Sequence, residues 1–572
     1  MDEPLELGPV VFTHKAQCRD CYRCLRMCPV KAIRLENGQA SVVPELCIAC
    51  GTCIRECPQG AKAFRNDVAL VRRLLAHRPR VLASVAPSYV GLLHPWERQR
   101  LPPALRCLGF SYVSETAVGA WHVAQESTEL LRTASSQEPK LCTACPAFVR
   151  YVREYRPALA PFLMPLASPM LTHARLLKAR FPDAAVVFIG PCVAKKDEAG
   201  RSAGLVDAVL TFEELLQWLE DEELDLSAFE ESDFDELAPG SAGLFPLPGG
   251  LVEAGGMDER ALSESSIAVS GFDELREALD SLESCPQALL VEALFCPQGC
   301  INGPATGQRQ TLFARRLAVL REGRRPLSAP PRPEHASTWE LPSPSPQPLA
   351  PVDEEELRRL LEETGKARRE DQLDCGACGY PSCRAKAEAV LRGMAEREMC
   401  LPLMRRLAEK RTDKIIETSP NGIIIVDAQL SILHMNPAFR HFFLCSDAVL
   451  GKKVSYLFDP EPFETLAAGS EAQVECTQRH EAYNLICHEI FYALREEGQF
   501  VGIFVNITNS QGNKRKLDEL RSHTVQQAHE LLQHQFQMAQ QMAKFLGEHT
   551  AQGEALVKNL LALALTDERD GG

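Results

Sequence analysis

Residues Cys18-Arg19-Asp20-Cys21-Tyr22-Arg23-Cys24-Leu25-Arg26-Met27-Cys28-Pro29 place four cysteines at C-x2-C-x2-C-x3-C-P spacing. Cys47-Ile48-Ala49-Cys50-Gly51-Thr52-Cys53-Ile54-Arg55-Glu56-Cys57-Pro58 repeats the pattern. A 4Fe-4S cubane needs four thiolates arriving from different directions. One compact loop presents three of them, and the other repeat supplies the fourth. The spacing therefore predicts one cluster on Cys18, Cys21, Cys24 and Cys57, and a second on Cys47, Cys50, Cys53 and Cys28. Zinc, or cysteines kept for structure alone, is the competing reading.

Working outward, the chain has 572 residues, enough for about three to five domains. Its apolar fraction of 45 % allows ordinary buried cores. A net charge of −15 argues against a nucleic-acid or anionic-membrane partner. No apolar run reaches the ~18 residues of a membrane span. The start, Met1-Asp2-Glu3-Pro4, has no apolar core and does not read as a secretory signal. There are 22 cysteines, mostly in tight groups, which favours metal binding over disulfides and implies a reducing, cytoplasmic setting.

The organisation follows from composition shifts. Residues 1–65 are cysteine-dense. Residues 66–325 alternate apolar β-rich runs (Val81-Leu82-Ala83-Ser84-Val85; Ala185-Val186-Val187-Phe188-Ile189) with helical segments, an α/β pattern. Residues 326–352 are proline- and serine-rich and read as an extended linker. Residues 353–405 hold a second cysteine group. Residues 406–510 carry strand and turn signals of a small α+β domain. Residues 511–572 are helical. There Leu517, Thr524, Leu531, Met538 and Phe545 recur every seven residues, although Arg521 and Gln535 interrupt a coiled-coil seam.

The N-terminal segment resembles a two-cluster bacterial ferredoxin. Three separated loops carry a second resemblance. They are Leu141-Cys142-Thr143-Ala144-Cys145-Pro146-Ala147-Phe148, then Gly190-Pro191-Cys192-Val193-Ala194-Lys195-Lys196-Asp197-Glu198, then Val291-Glu292-Ala293-Leu294-Phe295-Cys296-Pro297-Gln298-Gly299-Cys300-Ile301-Asn302-Gly303. Alone they could be scattered buried cysteines. In order, with Ser241-Ala242-Gly243-Leu244-Phe245 and Gly249-Gly250 between them, they resemble the cluster-binding signatures of the iron-only (FeFe) hydrogenase family. The resemblance implies an H-cluster: a cubane on Cys145, Cys192, Cys296 and Cys300, bridged by Cys300 to a two-iron unit with carbonyl and cyanide ligands. It implies that Lys195 anchors a cyanide as a charged donor, and that Ala86, Pro87 and Pro191 help wall the two-iron unit.

Departures from the family pattern carry the functional reading. Family members have a proton-shuttling cysteine where this chain has Ala144. Glu126 and Glu129 occupy the family's proton-path glutamate positions, but Met164 stands at the serine position. Gly190 and Leu294 replace two methionines. A relay broken at two apolar residues predicts slow turnover with hydrogen binding kept.

Asp374-Cys375-Gly376-Ala377-Cys378-Gly379-Tyr380-Pro381-Ser382-Cys383 and Cys400 give C-x2-C-x4-C-x16-C. This resembles a small four-cysteine iron-sulfur domain, with Cys375, Cys378, Cys383 and Cys400 as ligands of a third ferredoxin-type cubane; zinc is again the alternative. Residues 415–423, 434–439 and 506–508 resemble a PAS domain. His434, His441 and His488 read as ordinary histidines rather than haem ligands. The expected protein is thus multidomain: ferredoxin-like, α/β hydrogenase, four-cysteine, PAS and helix. Two functions are open. One is a sensory iron-only hydrogenase that reads hydrogen or redox poise and relays electrons to the PAS domain. The other is a working, ferredoxin-linked hydrogenase. The expected partners are hydrogen and protons, a ferredoxin-like redox protein, a downstream phosphatase or kinase, and a second copy joined through PAS and tail.

Overall fold

Short strands bracket each N-terminal cysteine loop. β1 (Val11–Thr13), the hairpin β2 (Ile33–Glu36) and β3 (Gln39–Val42), and β4 (Lys62–Phe64) alternate with the helices Arg23–Met27 and Thr52–Arg55. β1 pairs antiparallel with β4, and β2 with β3. In β2, Ile33 and Leu35 turn inward while Arg34 and Glu36 face out, the two-residue period of a half-buried strand. The two helices turn Cys24 and Cys53 into the interior.

This is a computed structural model. It describes residues 8–508 except 134–137, 239, 257–265, 283–289, 308, 324–336, 344, 347–350, 470–471 and 495–497, and omits the side chains of 408–413. The helical tail expected at 511–572 lies outside the described residues. The chain divides into two units, Met1–Met399 and Cys400–Gly572.

In the first unit, β5 (Val81–Val85), β6 (Tyr112–Glu115), β8 (Ala185–Gly190) and β9 (Ala208–Thr211) form a parallel sheet in the order β6-β5-β8-β9. β7 (Lys140–Leu141), β10 (Ser266–Ser270) and β11 (Leu290–Leu294) form a second parallel sheet in the order β10-β11-β7. β5, β8, β9 and β11 are buried along their whole lengths, as strands covered by helices on both faces must be. Ser84 is the polar exception in β5. Its hydroxyl meets Thr116 Oγ1 and His173 Nδ1, both at 2.7 Å, so the buried group is satisfied. The helices Ala117–Thr133 and Pro169–Arg180 approach so closely that a Cβ on Gly119 would lie 2.3 Å from the Pro169 carbonyl oxygen.

Lys196 ties the ferredoxin-like segment to the α/β core. Its fully buried ammonium lies 3.0 Å from Asp67, 2.9 Å from Glu214 and 2.8 Å from the Val209 carbonyl. The Asp67 amide also donates to Glu214 at 2.6 Å. Three polar partners around one cation satisfy a charge that would otherwise be costly to bury.

Within the proline-rich 326–352 stretch, the described residues 337–339 pair with the α/β region. Ser337 is fully buried. Its carbonyl accepts from Ala167, Trp339 donates to Pro165 O, and Thr338 bridges Leu166 antiparallel. Arg175 stacks on the Trp339 ring. Proline content disfavours helix and central strand but leaves an edge-pairing strap open, and Trp339 supplies the area that holds it. The segment after it, including the helices Glu354–Glu363 and Cys383–Leu391, packs within the first unit.

In the second unit, the expected division between residues 405 and 406 falls inside one helix, Leu401–Thr418. A five-stranded antiparallel sheet follows, built from β12 (Gly422–Val426), β13 (Ile432–Met435), β14 (Gln473–His480), β15 (Leu485–Leu494) and β16 (Gln499–Asn506), ordered β13-β12-β16-β15-β14. Phe439, Phe443, Phe458, Phe463, Phe491 and Phe504 fill the core on one face. Buried Asn436 caps the helix Pro437–Phe442 through Phe439 N–H and donates back to the Ile416 and Asn421 carbonyls. No helix among the described residues is long and apolar enough to cross a membrane.

Candidate metal centres

The structure brings the N-terminal cysteines together as two crossed sets. Burial raises the Cys24 thiol to about 11, and Cys21, Cys18 and Cys57 add to this while Lys62 opposes it. Burial likewise pushes Cys53 well up, with Cys50, Cys28 and Cys47 adding. Each set draws three thiols from one loop and the fourth from the other. Burying four thiols that repel one another as anions is unfavourable unless a cationic cluster binds them, so the donor sets fit cubanes.

The hydrogenase-type site forms at the carboxyl ends of three parallel strands, where open α/β sheets hold their ligands. β7 leads into Cys142 and Cys145, β8 into Cys192, and β11 into Cys296 and Cys300. Cys145, Cys192, Cys296 and Cys300 share one neighbourhood. Burial raises Cys296 well above the usual range, with Cys192, Cys300 and Cys145 adding; burial also raises Cys300, with Cys192 and Cys145 adding. The third loop needs glycine at 299. Its φ is +84°, and a Cβ there would lie 2.2 Å from Pro246 O, the same carbonyl that accepts the Cys300 amide at 2.7 Å. This seats the loop on the 245–248 turn. Pro191 packs on the same loop, its carbonyl accepting from Ala305. Ala86 is buried, its amide donating to Ile189 O at 2.8 Å.

Lys195, in the first turn of the helix Ala194–Gly200, is nearly buried. Its ammonium favours the thiolates of Cys145, Cys192 and Cys300. It pairs with Glu198 at 2.6 Å and donates to Ala144 O at 3.4 Å. A fixed cation facing three cluster thiols suits an iron unit with anionic ligands.

Another part of the site's surroundings is mainly apolar. Met164, Cys142, Val123, Leu166 and Phe245 are buried in one cluster with Ala144 against it. Glu126 and Glu129 lie on the helix Ala117–Thr133. Glu126 accepts the Ser337 amide of the strap at 2.9 Å, and Glu129 is exposed. Cys142 is no thiolate: burial raises it to about 12, with Glu292 adding.

Sequence reasoning passed over Glu292. It sits in mid-β11, 3 % exposed, with one oxygen accepting the Leu251 amide at 3.3 Å and Oε2 without a hydrogen-bond partner. Burial raises it to about 8 against backbone amides of 249–252. The available signal was a lone carboxylate in the apolar run Leu290-Val291-Glu292-Ala293-Leu294.

In the 375–383 loop, Cys375 is exposed, Cys378 half-buried and Cys383 buried. Asp374 shapes it, accepting the Cys383 amide at 2.6 Å and pairing with Arg369 at 2.6 Å. Both contacts, the amide first, lower the Asp374 pKa. Ser382 caps the helix Cys383–Leu391. Cys400 stands at the boundary of the second unit, before the helix Leu401–Thr418. Burial lowers the Lys31 pKa, while Cys28 and Cys378 oppose that. In the second unit, His488 lies 2.7 Å from Glu475, and His480 hydrogen-bonds Glu489.

Comparison with known proteins assigns these regions. Residues 79–304 match the model of the iron only hydrogenase large subunit, C-terminal domain. Residues 11–58 match a 4Fe-4S dicluster domain, 371–402 an Fe-S cluster family, and 410–477 a PAS domain. The chain is 35 % identical over 126 residues to the cytosolic Fe-S cluster assembly factor NAR1 of Eremothecium gossypii, covering 21 % of this chain and 28 % of that protein. It is 26 % identical over 356 residues to the periplasmic [Fe] hydrogenase large subunit of Nitratidesulfovibrio vulgaris, covering 50 % of this chain and 84 % of that one. A solved structure of [FeFe]-hydrogenase HydA1 from Chlamydomonas reinhardtii is similar at 20 % identity and TM-score 0.37, over 45 % of this chain and 88 % of that one. The chain thus carries a domain that matches the iron-only hydrogenase large subunit, flanked by dicluster, Fe-S and PAS domains.

Proposed function

We propose that this protein is a sensory hydrogenase. It binds hydrogen, or responds to redox poise, at an H-cluster on Cys145, Cys192, Cys296 and Cys300, with Cys300 bridging to a two-iron unit that bears carbonyl and cyanide. Three further cubanes, on Cys18/Cys21/Cys24/Cys57, Cys47/Cys50/Cys53/Cys28 and Cys375/Cys378/Cys383/Cys400, carry electrons toward the PAS domain, which addresses a phosphatase or kinase in the cytoplasm. A second copy would join through the PAS domain and tail.

One observation carries the reading. The cysteine sets are grouped, yet the wall beside Ala144 is apolar, with Met164 buried in it. Lys195 orients an anionic ligand, while no titratable side chain stands at 144 or 164 to pass a proton. Such a site binds hydrogen well and turns it over slowly. The test is infrared spectroscopy of protein maturated with the two-iron unit, followed by hydrogen turnover. Carbonyl and cyanide bands with turnover far below that of working hydrogenases support the proposal; fast turnover supports the enzyme reading instead.

The similarity to NAR1 favours a second reading, in which only cubanes are ever held and the role lies in iron-sulfur assembly. Absence of carbonyl and cyanide bands after maturation selects it.

A further inference from the structure

We infer that the cluster on Cys47, Cys50, Cys53 and Cys28 is the electron junction of the molecule, joining the hydrogenase-type site to the 375–383 loop, and that Lys31 is a positioning charge shared by the two clusters it connects. The inference rests on the reading that these cysteines hold cubanes, and it adds the order of the relay and the residue that couples it.

On the hydrogenase side, the 46–51 loop is clamped to the catalytic domain. Arg150 donates to Cys47 O at 2.6 Å, and the Tyr155 hydroxyl to Leu46 O at 2.5 Å. Gly51 faces Pro304, just past the third cysteine loop, so closely that a Cβ would lie 2.4 Å from its ring. Cys50 is in electrostatic range of Cys145.

On the other side, the two residues flanking Cys378 both rest on the helix that leads into Cys28. Arg26 donates to Ala377 O at 3.5 Å. Gly379, at φ +89°, brings its backbone so near that a Cβ would lie 3.1 Å from Leu25 Cγ and 3.3 Å from Arg26 N. Leu35 N–H donates to Met394 O at 3.0 Å, adding a backbone tie. These contacts make the loop a fixed neighbour of Cys28.

Lys31 sits at that seam. Its ammonium donates to Leu25 O at 3.1 Å and Arg26 O at 3.0 Å, the carbonyl end of the helix Arg23–Met27, where a cation is favoured. From there it faces both Cys28 and Cys378. The step it serves is a one-electron transfer. Cys47, Cys50, Cys53 and Cys28 would hold the cubane that gives up one electron, and the 375–383 cysteines would hold the one that takes it up. No bond breaks and no proton moves. Hydrogen oxidation at the hydrogenase-type site supplies the electron in the cell, and dithionite supplies it in a titration.

The test is an anaerobic dithionite titration of the full chain loaded with cubanes but not with the two-iron unit, followed by electron paramagnetic resonance. In Lys31→Gln, two of the three ferredoxin-type midpoint potentials should move to more negative values, because each reduced cluster has lost a nearby cation. The Cys18-set potential should stay, and Lys31→Arg should restore the other two. If no potential moves, if only one moves, or if the Cys18-set moves with them, the inference falls. If Lys31→Gln loses iron, the wild-type spectrum decides. Spin–spin broadening of the fully reduced junction signal should decrease in Cys375→Ala to what the Cys18-set alone causes, and a junction signal indifferent to Cys375 overturns the inference. Hydrogen is not used, so failure of the sensory reading leaves this result standing, and the reverse also holds.

Discussion

The two sides of the hydrogenase-type site are built by opposite rules. Toward the ferredoxin-like segment, polar and charged groups crowd together: four half-buried thiols, the Lys195 ammonium, and the Arg150 clamp onto Cys47 O. Toward the helix Ala117–Thr133, the site meets Met164, Leu166, Val123 and Phe245. Electrons tunnel through packed protein, whereas protons need hydrogen-bonded groups spaced for transfer. Under the sensory proposal this asymmetry would let the site change charge state while repeating the reaction slowly.

The comparison breaks first at the thiols. Cys145→Ala should abolish hydrogen-dependent signals and remove the iron of one cubane, while the ferredoxin-type resonances persist; iron analysis and spectroscopy check this. Loss of all clusters together would show that the two sides are not separately built. The next largest effect is expected at the seam. Lys196→Met leaves Asp67 and Glu214 buried without their cation, and removal of one partner from such a group costs about 3–5 kcal/mol. Anaerobic thermal unfolding should show it.

Ala144→Cys tests the proton side directly. Restoring a thiol beside the bound site should raise hydrogen evolution by about 10²-fold, the lower range for a positioned proton donor. A rise that stays small and grows when Met164→Ser is added would place the second break at Met164.

How much was legible from the residues follows from how local each feature is. The ferredoxin-like sets sit in short loops of fixed spacing and could be read from the spacing, whereas the three hydrogenase-type loops lie far apart in the chain and entered only through a family resemblance. The all-buried runs of β5 and β8 announced a parallel sheet. Lys196 could not be read, because its partners come from residues 67, 209 and 214. The 337–341 strap was hidden because proline content reports only local propensity, while its pairing with 165–167 is tertiary. The seat of the 375–383 loop on the helix Arg23–Met27 joins residues some 350 positions apart. Glu292 was masked by the strand that carries it.

Glu292 sharpens the comparison most finely, since it is a carboxyl buried beside the apolar wall. Burial raises it to about 8, whereas an unfolded chain would titrate it near 4.5. Between these values the folded protein holds a proton that the unfolded chain has released. Stability from this group is therefore complete below about pH 4.5 and is lost as pH rises through 8, at up to about 1.4 kcal/mol per unit within that window. Glu292→Gln keeps the shape and the Leu251 contact but cannot ionise. Its unfolding free energy, measured by anaerobic denaturant titration from pH 5.5 to 8.5, should lack that downward slope and exceed the wild type at the upper end. Equal slopes in the two proteins would mean that Glu292 is already ionised in the fold. The wall beside Ala144 would then hold a charge, and the division between a polar electron side and an apolar proton side would have to be redrawn at Cys142.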